Sequence, residues 1–159
     1  MNTRVPLRIK RLFPERDADI ELPALMSEHA AGMDVRAVNP EPIVLRPGER
    51  AAVPTGLAMA VPPGTEVQVR PRSGLAIRHG VTVINSPGTI DADYRGEVAV
   101  LLVNLGQEDF VIERGLRVAQ LVVAQLASVE VTLVAELDTT ERGEGGFGST
   151  GTTTAASAT

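Results

Sequence analysis

The residues best suited to chemistry sit in one short stretch, Val83-Ile84-Asn85-Ser86-Pro87-Gly88-Thr89-Ile90-Asp91-Ala92-Asp93-Tyr94-Arg95-Gly96-Glu97. Asn85 offers an amide that both donates and accepts, Asp91 a carboxylate that can take a proton, and Tyr94 an aromatic ring that can pack against a flat ligand. Such a set can recognise a base with its sugar and act beside it. The apolar runs Val81 to Ile84 and Val98 to Val103 flank the stretch, and the Asn, Ser, Pro and Gly between them build tight turns. The pattern predicts a long β-hairpin whose tip carries the polar groups. A tip of that composition reads as a binding pocket rather than a plain reversal.

Four other segments carry chemical possibilities. Ala30-Ala31-Gly32-Met33-Asp34-Val35 sets one carboxylate in an apolar strand start. Asp34 reads either as a turn aspartate or as a metal ligand acting through water, and taken alone the turn aspartate is favoured. In Arg70-Pro71-Arg72-Ser73-Gly74-Leu75-Ala76 a strand ends and Ser-Gly opens a short helix. The Arg72 fork and the Ser73 hydroxyl suit phosphate; an N-cap serine beside a surface arginine is an equal alternative. Gly115-Leu116-Arg117-Val118-Ala119-Gln120-Leu121 opens a strand with Arg117 and Gln120 three apart, on opposite faces if the strand is regular. Gln120 is the odder residue, because a buried amide needs partners. Arg142-Gly143-Glu144-Gly145-Gly146-Phe147-Gly148-Ser149-Thr150-Gly151 is dense in glycine, which lets backbone amides approach phosphates closely. It has no Gly-Lys-Ser/Thr ending and so is not a P-loop. Composition favours a disordered tail, yet Phe147 has no core to join there and could stack.

The elements that must hold these groups are short strands. Val5 to Leu12, Met33 to Val38, Ile43 to Leu45, Glu49 to Val53 and Leu57 to Val61 are separated by prolines and glycines. Thr65 to Arg70 alternates, with Val67 and Val69 on one face and Glu66, Gln68 and Arg70 on the other. Val98 to Val103 is continuously apolar and is expected to be buried on both faces. Val118 to Leu126 and Val129 to Val134 are further strands, and Leu75 to His79 is the one helix. Turn signals every ten residues or so point to an all-β sandwich, jelly roll or barrel. The 159 residues suffice for one domain with a real core, and at 43% apolar but 3% aromatic that core must be mostly aliphatic. With no cysteine, disulfides and thiolate metal sites are excluded, and two histidines, His29 and His79, leave little room for a histidine-built zinc site. The net charge of −5 argues against a general grip on nucleic acid polymer. No stretch is long and apolar enough for a membrane span or a secretory signal, so no membrane role and a cytoplasmic location are expected.

Five segments in order, Ala31 to Val35, Pro71 to Ala76, Asn85 to Gly96, Arg117 to Leu121 and Arg142 to Gly151, resemble the five motifs of the trimeric dUTP pyrophosphatase (dUTPase) family. Each is weak alone; together, at domain-scale spacing, they form a strong signal. The resemblance implies an all-β, jelly-roll-like distorted β-barrel assembled as a homotrimer, with active sites at subunit interfaces. It implies hydrolysis of dUTP to dUMP and pyrophosphate with Mg²⁺, which lowers dUTP and supplies dUMP for thymidylate synthesis. By the same resemblance Asp91 is the general base, and Asn85, Gly88, Thr89 and Ile90 read the uracil edge. Tyr94 packs under the deoxyribose and Phe147 stacks over uracil. Arg72, Ser73, Gly74, Gln120, Arg142, Gly148 and Ser149 hold the phosphates, and Asp34 meets the metal through water. Residues 1–138 are then the β-barrel core, 139–151 a glycine-rich lid, and 152–159 a disordered tail. Met33 stands where the family varies, and Asp93 adds a second carboxylate near Asp91. Two alternatives stay open: a dCTP deaminase-like enzyme of the same fold, for which Val81 to Ile90 lacks the glutamate, and a non-catalytic trimeric nucleotide-binding protein.

Overall fold

The structure, a computed structural model, describes residues 5–149. Eleven strands and one helix follow in the order β1 Arg8–Arg11, β2 Met33–Arg36, β3 Ile43–Leu45, β4 Arg50–Pro54, β5 Leu57–Ala60, β6 Thr65–Arg70, α1 Ser73–His79, β7 Val81–Val83, β8 Gly88–Ile90, β9 Ala99–Asn104, β10 Phe110–Ile112 and β11 Arg117–Gln125. They form four antiparallel sheets, β1-β5, β10-β3, β2-β11-β6-β8 and β4-β9-β7. The result is the jelly-roll-like, distorted β-barrel that the family resemblance implies, one of the all-β forms that the sequence pattern leaves open. Non-consecutive strands lie side by side almost everywhere, so residues far apart in the chain meet at the site.

The core is aliphatic, as the composition requires. Val53, Val67, Val100, Ile112 and Leu121 are wholly buried, with Val35, Leu45, Met59, Val81, Val83 and Leu102 nearly so. Phe110 is the only buried aromatic among the described residues, and its ring lies 5.0 Å from that of His79. β6 shows the expected alternation: Thr65, Val67 and Val69 point inward, and Glu66, Gln68 and Arg70 outward.

Several expectations change in detail. β7 and β9 do pair, with Val83 opposite Leu102, but the stretch between them is not a free hairpin tip. β8 leaves it to join another sheet, placing Gly88 opposite Val69 and Ile90 opposite Val67 on β6. β9 is not buried on both faces: Ala99 and Leu101 are exposed while Val100 and Leu102 face the core. A continuous apolar run has here become a half-buried strand. The helix begins two residues before Leu75, at Ser73, and ends on Gly80, whose φ of 67° is the left-handed conformation that closes a helix.

The chain divides into two compact units after Ser128, ahead of the boundary at 138 expected from sequence. In the second unit the expected strand Val129 to Val134 does not form. Val129, Val131 and Leu133 are between 77% and 98% exposed, and no strand among the described residues supplies the hydrogen bonds that an extended segment needs. The glycine-rich part folds into tight turns closed by Gly143 N–H to the Thr140 carbonyl, Gly145 N–H to Arg142, and Ser149 N–H to Gly146. Thr150, Gly151 and the expected disordered tail 152–159 lie outside the described residues.

Candidate functional site

Two groupings of side chains emerge within the first unit. The first centres on Asp34 in β2. Gln120 of β11 stands directly opposite Asp34, and on its other side opposite Arg70 of β6. Directly opposed residues share a face of the sheet, so the amide and the carboxylate project together. The expectation that Arg117 and Gln120 lie on opposite faces fails, because β11 is not regular. Arg117 opposes Arg36 but Ala119 opposes Val35, leaving Val118 as the extra residue of a β-bulge. Val118 and Ala119 are therefore both buried, and Arg117 returns to the face that carries Asp34.

Asp34 binds two arginines at once. Arg72 donates from Nε to Oδ1 at 3.1 Å, and Arg117 from Nη1 to Oδ2 at 3.1 Å. Arg72 also donates from Nη1 to the Arg117 carbonyl at 3.3 Å. The carboxylate is only 10% exposed, so the pairing satisfies a charge that burial would otherwise penalise. Asp34 is thus more than a turn aspartate: it aligns two guanidinium groups, each with further N–H donors to spare. Arg72 is also not the surface arginine of the alternative reading. It is the N-cap residue of α1, with extended backbone and no side-chain capping bond, and Ser73 is the first helical residue rather than the cap. The Leu75 and Ala76 N–H groups return to the Arg72 carbonyl; those of Ser73 and Gly74 precede them in the open first turn. Gly32 keeps the cluster close, since a Cβ there would stand 3.3 Å from the Gln120 Cβ.

The second grouping is a pocket of about 200 Å³ lined by Val69, Asn85, Gly88, Thr89, Ile90, Tyr94, Glu97, Val98, Ala99 and Leu101. Every residue expected to read a base or sugar, Phe147 apart, lines it. Pairing of β8 with β6 builds its floor. A Cβ on Gly88 would lie 3.2 Å from both the Asn85 amide nitrogen and the Val69 Cβ, so the glycine lets the amide approach the strand without a tight contact. The Ser86–Pro87 peptide bond leading into β8 is cis. Ligand pockets commonly enclose roughly 300–1,000 Å³, so this one suits a fragment such as a base and part of a sugar.

Asp91 follows β8 directly, is exposed, and its side chain has no hydrogen-bond partner among the described residues. It is not among the residues lining the pocket; its carbonyl accepts the Tyr94 N–H at 3.2 Å. Asp93 is exposed as well. Among the described residues no three His, Cys, Asp or Glu side chains gather as a metal cage. In the second unit Arg142 turns its Nε back to the Gly145 carbonyl at 2.7 Å. Phe147 is fully exposed at a positive φ of 46°, followed by Gly148 at 84°. Two residues of these groupings were missed from sequence as site members. Arg117, though part of a motif, carries no site role in the sequence reading because the bulge leaves no mark in a period-2 pattern, and Glu97 carries no reading there.

Comparison with known proteins then decides the lineage. The dUTPase family matches residues 18–151. The chain belongs to the dUTPase family. It is 58% identical over 135 residues to the deoxyuridine 5'-triphosphate nucleotidohydrolase of Rhizobium meliloti, covering 84% of each chain. It is 56% identical over 147 residues to that of Caulobacter vibrioides, covering 91% of this chain and 94% of the relative. Among solved structures it resembles a mutant dUTPase of Staphylococcus bacteriophage 80alpha with dUpNHpp, at a TM-score of 0.80 and 27% identity over 96% of this chain and all of that one. The dUTPase match takes in both groupings and the glycine-rich segment. Among the described residues no helix is long and apolar enough to cross a membrane.

Proposed function

We propose that this chain hydrolyses dUTP to dUMP and pyrophosphate. The supporting observation is a division of labour within the first unit: a small pocket of fixed polar groups, and separately a cluster of arginines with a glutamine. The first suits a pyrimidine base and its sugar, the second a polyphosphate. In this reading Asn85 with the backbone of Gly88, Thr89 and Ile90 matches the uracil edge. The narrow floor leaves no room for a 5-methyl group, and fixed donors and acceptors mismatch the amino group of cytosine. Tyr94 packs beneath the deoxyribose and excludes a 2′-hydroxyl.

Asp91 orients a water and accepts its proton as the oxygen attacks the α-phosphorus. The bond to the α,β-bridging oxygen breaks and pyrophosphate departs. An ordinary carboxylate is a weak base, so positioning supplies much of the effect. Arg72, Arg117 and Gln120, with the Ser73 and Gly74 amides, neutralise and orient the phosphates. Arg142, Gly148 and Ser149 close on them, and Phe147 covers the base, as a lid that excludes water.

Mg²⁺ fits this chemistry as a companion of the substrate rather than as a resident of a protein cage. It favours oxygen ligands, keeps several waters, and is commonly held by phosphates with one or two carboxylates. Both Asp34 oxygens already accept from arginines, so Asp34 would meet the ion through water. Bound to the triphosphate, the ion supplies charge neutralisation for the leaving pyrophosphate. The reading includes a homotrimer whose copies complete each site, on the strength of the family resemblance alone. Light scattering of the purified protein measures that assembly directly.

The deciding experiment is pyrophosphate release in Mg²⁺ from dUTP beside dCTP, dTTP and UTP, with ammonia monitored. Release from dUTP alone is expected. Ammonia from dCTP would move the chain to the deaminases, and binding of dUTP without turnover would leave a nucleotide-binding protein.

A further inference from the structure

We propose that Glu97 is a positioning residue that fixes the Tyr94 ring, and through it sets how strictly the pocket discriminates the sugar. The inference rests on the reading of Tyr94 as the residue beneath the deoxyribose. Nothing in the motif chemistry demands a carboxylate at this place, since Glu97 is neither a base for the attacking water nor a phosphate ligand.

The turn from Asp91 to Glu97 is bonded mostly to itself. The Tyr94 N–H reaches the Asp91 carbonyl, and Arg95 donates from Nη1 to the Ala92 and Tyr94 carbonyls, both at 2.7 Å. Tyr94 is 45% exposed, and its ring lies against Gly96, where a Cβ would collide with it. Its one polar tether is its hydroxyl, which donates to the Glu97 carbonyl at 2.9 Å. The ring is therefore placed only as well as Glu97 is placed.

Glu97 is held by its own side chain and by the peptide unit it shares with Val98. Its Oε1 accepts the Gly56 N–H at 2.8 Å, where Gly56 holds a left-handed φ of 64° between β4 and β5. The next residue repeats the attachment twice: the Val98 N–H reaches the Leu57 carbonyl at 2.8 Å, and the Thr55 hydroxyl donates to the Val98 carbonyl at 2.5 Å. Behind Gly56 stands the Asp17 carboxylate, so close that a Cβ on Gly56 would meet Oδ2 at 2.5 Å. The buried framework thus reaches the pocket through Glu97, whose carboxylate grips the β4–β5 turn while its carbonyl holds the tyrosine. The Val98 N–H belongs to the same planar peptide unit as the Glu97 carbonyl, so its bond to Leu57 helps to hold that carbonyl, and loss of the carboxylate would loosen the turn ahead of this unit without detaching β9.

The composition provides a direct readout. Tyr94 is the only tyrosine and there is no tryptophan, so near-ultraviolet circular dichroism in the tyrosine band and the anisotropy of tyrosine emission report on this ring. Both should weaken in Glu97→Ala, and the kcat/KM preference for dUTP over UTP should fall about tenfold, the value of one well-made hydrogen bond. The KM for dUTP should rise more than kcat falls, because the ring aids binding and not the chemical step. Glu97→Gln keeps an oxygen acceptor for the Gly56 N–H and should restore both signal and preference. Tyr94→Phe, which keeps the ring and removes the tether, should shift the preference the same way as Glu97→Ala.

Unchanged preference in Glu97→Ala or in Tyr94→Phe would overturn the proposal, as would a Glu97→Gln variant as impaired as the alanine. Should Glu97→Ala fail to fold, the glutamine and phenylalanine variants decide alone. Tyr94→Ala separates the two levels of the argument. If it relaxes discrimination while Glu97→Ala does not, only the positioning role fails; if it changes nothing, sugar recognition by Tyr94 fails and the role of Glu97 with it.

Discussion

Asp17 and Asp91 are the same residue type in opposite circumstances. Asp17 is 2% exposed, and its carboxylate takes hydrogen bonds from Arg16 at 2.7 and 2.8 Å and from Arg114 at 3.1 Å. Its carbonyl takes a further bond from Arg11 at 2.6 Å. Arg114 in turn donates to the Val38 carbonyl, to the Arg16 carbonyl and to Asp19. Two of the bonds to this carboxylate come from within its own loop, and the Arg114 bond ties the loop 13–19 to the barrel. Asp91 is exposed and its side chain is bonded to nothing among the described residues. A carboxylate with free lone pairs at the exit of a short, firmly paired strand can accept from a water. One that is 2% exposed and has both oxygens held by guanidinium groups is closed to such a water. Asp34 lies between the two: each of its oxygens accepts one bond, from arginines that keep donors free for a ligand. The comparison orders the three aspartates by what remains available.

The largest effect should follow from removing the free carboxylate. Asp91→Asn keeps shape and polarity but cannot take a proton, so kcat should fall about a thousandfold, within the range of a lost general base, while dUTP affinity from equilibrium binding stays. If turnover survives, the base is another group, and Asp93 is the one to substitute next. Truncation before Arg142 should come second. Loss of one stacking ring and one arginine should lower turnover about a hundredfold and leave the assembly state by light scattering unchanged. Dissociation would give the segment a structural role instead. Asp34→Asn should come third. An amide can accept from one arginine through its oxygen, but its NH₂ opposes the other, so the KM for dUTP should rise about tenfold. An unaltered KM would mean that the arginines need no aligner.

The sequence made one side of the comparison legible and hid the other. β3 and β6 are read to the residue because their apolar pattern is set by one inward face. The pocket residues Asn85, Gly88, Thr89, Ile90 and Tyr94 are contiguous, so a local reading finds them together. β8 and β10 are three-residue strands whose pairing partners are remote in sequence, and nothing local marks them. The bulge that brings Arg117 beside Gln120 is set by the register against β2, which a period-2 count does not contain. Glu97 was overlooked because its partner is a backbone N–H forty-one residues away. Val129 to Val134 shows the converse error. Its alternation is genuine, but a strand exists only where another segment completes its hydrogen bonds, and pattern alone supplies none.

The smallest effect concerns the other aspartate and is read in stability rather than rate. The hydrogen bond from Arg16 is the chief cause holding the Asp17 carboxyl below the ordinary aspartate range. Burial pulls the other way, and the bond from Arg114 adds to the lowering. A carboxyl whose pKa is lower in the folded state than in the unfolded chain stabilises the fold at pH above its unfolded value. That contribution disappears as pH falls through the folded value. Urea midpoints of the parent and Asp17→Asn should therefore differ most near neutrality, the variant being weaker, and converge as pH drops below about 4, the unperturbed aspartate value. A gap for Asp17→Asn that stays constant with pH would mean that residue 17 contributes through shape and not charge, and the contrast between the committed and the free carboxylate would then rest on geometry alone.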